Sequence, residues 1–234
     1  MRVLSIMCHP DDMELKCSGT LIRYKQEGHD VISCHVANGN MGHMVIAPDE
    51  LRKIRRKEAQ NAAAIAGIEC VSADFDDLTI NAADETQLKE IIRIIRYAQP
   101  DIILTHDPDD YCSDHTEVSK LVFNASFSAT CPHFHPQLGK ASPLAAIYYA
   151  DTDDGLRFIP TEYVDITDCI EQKAEMMRCH ESQLTWLTEH HNCDAIAEMY
   201  NRGAFWGKQC GVKYAEAFRP LLVSGRMRTY RMLP

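Results

Sequence analysis

The chain is expected to be an α/β protein, with a mainly parallel sheet, helices on both faces and its chemistry at the carboxyl ends of the strands. Three observations carry this expectation. Short apolar runs such as Val3–Cys8 and Asp101–Thr105 have the length and near-continuous hydrophobicity of strands buried on both faces. Longer segments of helical periodicity alternate with them. Two histidine-bearing acidic segments, His9-Pro10-Asp11-Asp12 and His106 to His115, each follow directly on one of those runs.

Taken in order, Val3–Cys8 reads as the first strand. Ser18–Gln26 is helical in pattern, and Gly28 supplies its stop. Asp30–Ala37 is the second strand. Pro48 to Ala66 is a helix with Leu51, Ile54, Ala62 and Ile65 on one face and a basic run from Arg52 to Lys57 largely on the other; Gly67 closes it. Leu88, Ile91, Ile92 and Ile95 recur at i, i+3, i+4 and i+7, the clearest amphipathic helix in the chain. Pro100 ends that pattern and Asp101–Thr105 is again a buried strand. Ser128–Ser142, with Pro132, Pro136 and Gly139, reads as a long irregular loop. Ala145–Ala150 and Tyr163–Ile166 are further strands, and Thr167 or Asp168 is placed to cap a long helix running towards His190.

A length of 234 residues with 45% hydrophobic content suits one α/β domain, 1–234, in which residues after about 150 form a C-terminal extension. Ten cysteines include no CxxC pair, which argues against zinc ribbons and thioredoxin-type motifs and for reduced thiols. A net charge of −10 argues against nucleic acid or an anionic membrane as the main partner. The N-terminal apolar run ends at His9-Pro10 and is too short for a signal peptide. No stretch approaches a spanning helix, so no membrane insertion and a cytoplasmic location are expected.

In an open parallel sheet, ligands bind beyond the carboxyl ends of the strands. If the two strands are neighbours across the switch point, the segments after them meet at one crevice. His9 and Asp12, three residues apart on a tight turn, suit two ligands of one metal ion, and His115 supplies a third. Two imidazoles and a carboxylate form the ligand set of an open catalytic zinc site. Asp11, beside a ligand and itself not needed for binding, is placed to act as general base. Calcium fits poorly, because Tyr111 and Cys112 stand where an EF-hand loop starting at Asp107 needs a ligand and a glycine. A dinucleotide site fits no better, since no GxGxxG follows Val3–Cys8.

The segment His9-Pro10-Asp11-Asp12-Met13-Glu14-Leu15-Lys16-Cys17-Ser18-Gly19-Thr20-Leu21 resembles the opening motif of the LmbE-like, or PIG-L, zinc-dependent de-N-acetylases. Asp110-Tyr111-Cys112-Ser113-Asp114-His115 is similar to that family's second motif, and Arg55 with Glu58 matches its Arg-x-x-Glu helix. Val164-Asp165-Ile166, Lys173, His180-Glu181-Ser182-Gln183 and Tyr214 to Phe218 match its C-terminal half. The resemblance implies a Rossmann-like fold and Zn2+ (or Fe2+ in its place) on His9, Asp12 and His115. It also implies Asp11 as base and removal of an acetyl group from an N-acetylated, carbohydrate-like small molecule.

The same family match marks His180 as an acid or substrate residue. Arg55 is expected to hold a substrate hydroxyl or a neighbouring carboxylate, against the alternative of a solvated basic face. For His106 a structural role is favoured over orienting carboxylates beside the site, and Trp186 and Trp206 are expected to pack. Cys112 departs from the family, many of whose members carry His there. A thiol is a weaker donor, so the alternative is a metal-binding but catalytically altered member that only binds small molecules. The sequence leaves a homo-oligomer open.

Overall fold

The structure, a computed structural model, describes residues 1–234 apart from the side chain of Asp154. Its organising strand is β1 (Arg2–Met7), which pairs in parallel with β2 (Asp30–Ala37) on one side and β4 (Ile102–Thr105) on the other. β3 (Glu69–Phe75) extends the sheet beyond β2, and β5 (Ala146–Ala150) beyond β4, both in parallel. β7 (Ala215–Pro220) runs antiparallel to β5 and to the edge strand β6 (Glu162–Asp165), giving the order β3-β2-β1-β4-β5-β7-β6.

The order in which strands are added reverses between β1 and β4, which stay parallel, and this is the switch point at which such sheets bind ligands. The register pairs Ile6 with Thr105, so the segments leaving the two strands emerge level with each other.

The strands are apolar throughout because both faces of the sheet are covered. On β1, Val3 and Met7 enter one core, together with Met13, Leu21, Tyr24, Ala62 and Met176. Leu4 and Ile6 point to the other, with Ile91, Ile95, Val118 and Leu121. The first face thus packs on α1 (Asp12–Lys16), α2 (Ser18–Gln26), α3 (Pro48–Ile65) and α6 (Ile170–Arg178), and the second on α4 (Glu85–Ala98) and α5 (Ser113–Ser128). In α4 the expected stripe is present: Ile91, Ile92 and Ile95 are buried, Leu88 is partly so, and Asp84 caps the helix by accepting from Thr86 N and Gln87 N. Most of the Ser128–Ser142 stretch is irregular, as expected. Buried Arg96 secures it by donating to the carbonyls of Ala129, Cys131, Phe134 and His135.

One helix differs from expectation. The pattern from Thr167 towards His190 is interrupted, with a 3-10 turn at Thr167–Cys169, α6, and then a separate α7 (Glu181–His191). His180 sits at the break. After it comes α8 (Ala195–Cys210), capped by Asp194.

A buried carboxylate ties the C-terminal strand to the N-terminal helix. Glu216 on β7 accepts from Gly19 N at 2.9 Å, Thr20 N at 2.7 Å, Thr20 Oγ1 at 2.6 Å and Lys173 Nζ at 2.6 Å. It satisfies the amide donors left open at the start of α2 and neutralises a lysine only 3% exposed. A Cβ on Gly19 would stand 2.6 Å from Ile166 Cγ2 and 2.9 Å from Glu216 Oε1, so this close approach requires glycine. Among the described residues, no helix is long and apolar enough to cross a membrane.

Candidate metal centre

The chain leaving β1 turns at once. Asp12 N donates to His9 O at 3.2 Å, and His9 N donates to Asp12 Oδ2 at 2.6 Å, which folds the two side chains towards each other. Across the switch point, His115 lies in the first turn of α5, directly after the β4 loop. His9 Nδ1, Asp12 Oδ2 and His115 Nε2 lie 3.3 Å apart in all three pairings. Ligand atoms about 2.0–2.1 Å from a tetrahedral ion are about 3.3–3.4 Å from one another. The triangle therefore has the dimensions of three corners of a zinc-sized tetrahedron, and the three expected residues are brought together.

Competing donors are otherwise engaged. His106, fully buried, also approaches Asp12 Oδ2 at 3.3 Å, but its Nε2 accepts the Cys8 N–H at 2.8 Å. Its ring stacks on His115 with centroids 3.9 Å apart, so it backs that imidazole. Burial pushes the Cys8 thiol up to about 11, and its Sγ lies 3.6 Å from His9 Nε2, the nitrogen that is not part of the triangle. Asp110 and Asp153 also approach His115, but the ammonium of Lys16 lies 2.7 Å from Asp153 Oδ1 and 3.8 Å from Asp110 Oδ2.

Each imidazole of the triangle has a carboxylate on its outer nitrogen. Asp114 Oδ2 is 3.4 Å from His9 Nε2, and Asp110 Oδ1 is 3.4 Å from His115 Nδ1. Such partners orient metal-binding imidazoles and raise their basicity. Neither aspartate was singled out from the sequence, although both stand in the second acidic segment, within five residues of His115.

Asp11 is the strained member of the turn, with φ +128. It precedes α1 without capping it, so its carboxylate is not engaged by the helix. Arg55, 2% exposed, holds the turn instead: Nη2 donates to Pro10 O at 2.5 Å and to Asp11 Oδ1 at 3.2 Å, and Nη1 donates to Gly39 O at 3.2 Å. Of the two expected roles for Arg55, the structure places it on the carboxylate. Its guanidinium lies under the site, away from the solvated face of α3. Burial pushes Asp11 up to about 6, against the pull of Arg55.

Gly39 follows β2 with φ +78, and a Cβ there would stand 2.5–2.6 Å from the Arg55 side chain. Gly39→Ala is expected to displace Arg55, costing about 1–3 kcal/mol of stability and about 10²-fold in turnover. Thermal unfolding and steady-state kinetics of the variant check both.

His180 is fully buried, 3.3 Å from Glu14 Oε2 and out of reach of solvent. Glu58, one turn after Arg55 on α3, accepts from Ser182 N at 2.8 Å and Ser182 Oγ at 2.6 Å. The Arg-x-x-Glu spacing thus lets one helix hold the His9–Asp12 turn with one residue and the start of α7 with another. Cys112, half-buried ahead of α5, donates its backbone N–H to Asp110 Oδ1 at 3.1 Å. Trp206 is buried and donates from Nε1 to Asp151, while Trp186 stacks on His190.

A doubly wound sheet whose carboxyl edge gathers two imidazoles, a carboxylate and a second carboxylate outside their triangle defines an α/β protein with a candidate hydrolytic metal site. The family model for PIG-L, GlcNAc-PI de-N-acetylase, matches residues 4–126, and the chain belongs to this family. It is 30% identical over 230 residues to the diacetylchitobiose deacetylase of Thermococcus kodakarensis, covering 93% of this chain and 82% of that protein. The fold is similar to that of N,N'-diacetylchitobiose deacetylase from Pyrococcus horikoshii, with TM-score 0.80, 27% identity, and coverage of 94% of this chain and 83% of that one. GalB, the 4-carboxy-2-hydroxymuconate hydratase of Pseudomonas putida, superposes with TM-score 0.81 at 20% identity over the whole of both chains. That last likeness concerns the fold alone.

Proposed function

We propose that this protein is a metal-dependent N-deacetylase, hydrolysing the acetamido group of a small, sugar-like substrate. Zinc, or ferrous iron in its place, would be held by His9, Asp12 and His115. The observation that carries this reading is the 3.3 Å triangle of ligand atoms with Asp11 beside it, buried but not part of it. Membership of the family and likeness to deacetylases that act on acetylated sugars support the substrate class.

A divalent ion at the triangle supplies Lewis acidity, making water more acidic and polarising the amide carbonyl. The chain's own residues do the rest. Asp11 accepts the proton of the attacking water and returns it to the departing amine nitrogen, so one carboxylate serves as base and then acid. Arg55 keeps Asp11 Oδ1 oriented through both transfers. Asp110 and Asp114 hold the two imidazoles in their ligating orientation.

Two measurements test the reading: metal content of the purified protein, and acetate release from a panel of N-acetyl sugars, free and glycosidically linked. About one equivalent of zinc or iron per chain is expected, together with metal-dependent acetate release. A protein without metal that gains nothing from added zinc or iron would remove the metal assignment. One that binds metal but releases no acetate from any substrate would instead be the altered, binding-only member.

A further inference from the structure

Behind the Asp11 turn lies a polar pair that the proposed mechanism does not use. Glu14 is one turn along α1 from Asp11, and His180 occupies the break between α6 and α7; both are 0% exposed. Their side chains meet at 3.3 Å, His180 Nε2 to Glu14 Oε2, yet neither Glu14 oxygen nor either His180 nitrogen has an aligned hydrogen bond. Arg55 Nε, His35 Nε2 and Gln183 Oε1 are likewise buried without one. Buried polar groups are ordinarily hydrogen-bonded. Taking an acid and an imidazole out of water costs more than such a contact returns, and a well-packed apolar pair would be at least as stable. Stability therefore gives no reason for Glu14 and His180 to be here, whereas their placement does.

We infer that Glu14 and His180 form a buried positioning dyad that, together with Arg55, holds Asp11 in its strained turn; this rests on the deacetylase reading for what Asp11 does. The dyad is anchored from both sides. His180 O accepts from Gln183 N at 3.1 Å and Leu184 N at 2.9 Å, which begins α7 at this residue. Two residues on, Ser182 is fastened to Glu58, on the same helix that carries Arg55 to Asp11. The field of His180 also reaches Asp11. His180 has no exposed surface, so the part assigned to it is to fix the Asp11 carboxylate.

The test uses the metal-loaded, full-length protein and the variants Glu14→Gln, His180→Gln and the double variant. Each single variant is expected to keep its metal and a KM within about twofold of wild type, while kcat falls about 10- to 100-fold. The double variant should be no worse than the poorer single one, because the two residues act as a unit. A kcat within about twofold of wild type in either single variant, a change confined to KM, or losses that multiply in the double variant would overturn the dyad. Should Glu14→Gln not fold, Glu14→Asp keeps the charge on a shorter arm and is read in the same way. A wild type that releases no acetate sinks the deacetylase reading instead. The dyad is then decided by thermal unfolding of the four proteins: coupled losses uphold it, and additive losses remove it.

Discussion

Asp11→Asn is expected to lower kcat about 10²- to 10⁴-fold while bound metal stays at the wild-type level. The substitution is nearly isosteric, and the amide oxygen can still accept from Arg55 Nη2, so the turn is kept. The triangle of His9, Asp12 and His115 does not include this side chain, so the ligand atoms are untouched. What disappears is the ability to take a proton. Metal analysis alongside steady-state acetate release separates the two effects, and hydrolysis retained at wild-type rate would remove Asp11 as the base. The wild type should also lose activity as pH falls and Asp11 takes up its proton. Burial pushes its pKa up to about 6 against the pull of Arg55, and a bound dication lowers it, so the acid limb should lie at or below about pH 6.

Glu216→Ala is expected to be the most destabilising single change away from the site. Removing the carboxylate leaves Lys173 buried with no counter-charge and takes the acceptor from Gly19 N, Thr20 N and Thr20 Oγ1 together. Breaking one side of a buried ion pair costs about 3–5 kcal/mol. For a chain of this length that corresponds to a fall of roughly 6–20 °C in Tm. Urea unfolding measures it directly. A loss below about 1 kcal/mol would mean that water replaces the carboxylate and that α2 does not depend on β7.

The central sheet and the ligand triangle were legible in the sequence for the same physical reason. Strands covered on both faces must be apolar at every position, so Val3–Cys8 and Asp101–Thr105 stand out, and polar residues directly after them can only lie at the sheet's carboxyl edge. β3 was not picked out, because most of Glu69–Phe75 is only partly buried and its short alternation, with Val71, Ala73 and Phe75 on one face, lacks the continuous apolar run that marks the central strands. β7 was hidden by Glu216 and Arg219, charges that a strand tolerates only because Lys173 and Asp107 meet them. In α8, Gly203 and Gly207 mask the helical pattern that Asp194 begins.

The break at His180 left no trace, since no glycine or proline marks it. It exists because Ser182 is drawn to Glu58, a contact spanning 124 residues that no local pattern encodes. For the same reason the basic run on α3 left two readings of Arg55 open, a hold on the site and a solvated face. Its neighbours Arg52, Lys53, Arg56 and Lys57 resemble it in sequence, and only the fold turns this one inward.

The long-range anchors bear on the order in which the protein is made. All three proposed ligands lie within the first 115 residues, whereas the groups that brace the surrounding helices, Ser182 and Glu216, reach back 124 residues to Glu58 and 196 to Thr20. A chain emerging from the ribosome therefore exposes every metal donor well before the residues that fasten α1, α2 and α3 in place. The residues proposed to take the ion are in this way made before those that brace the helices around them.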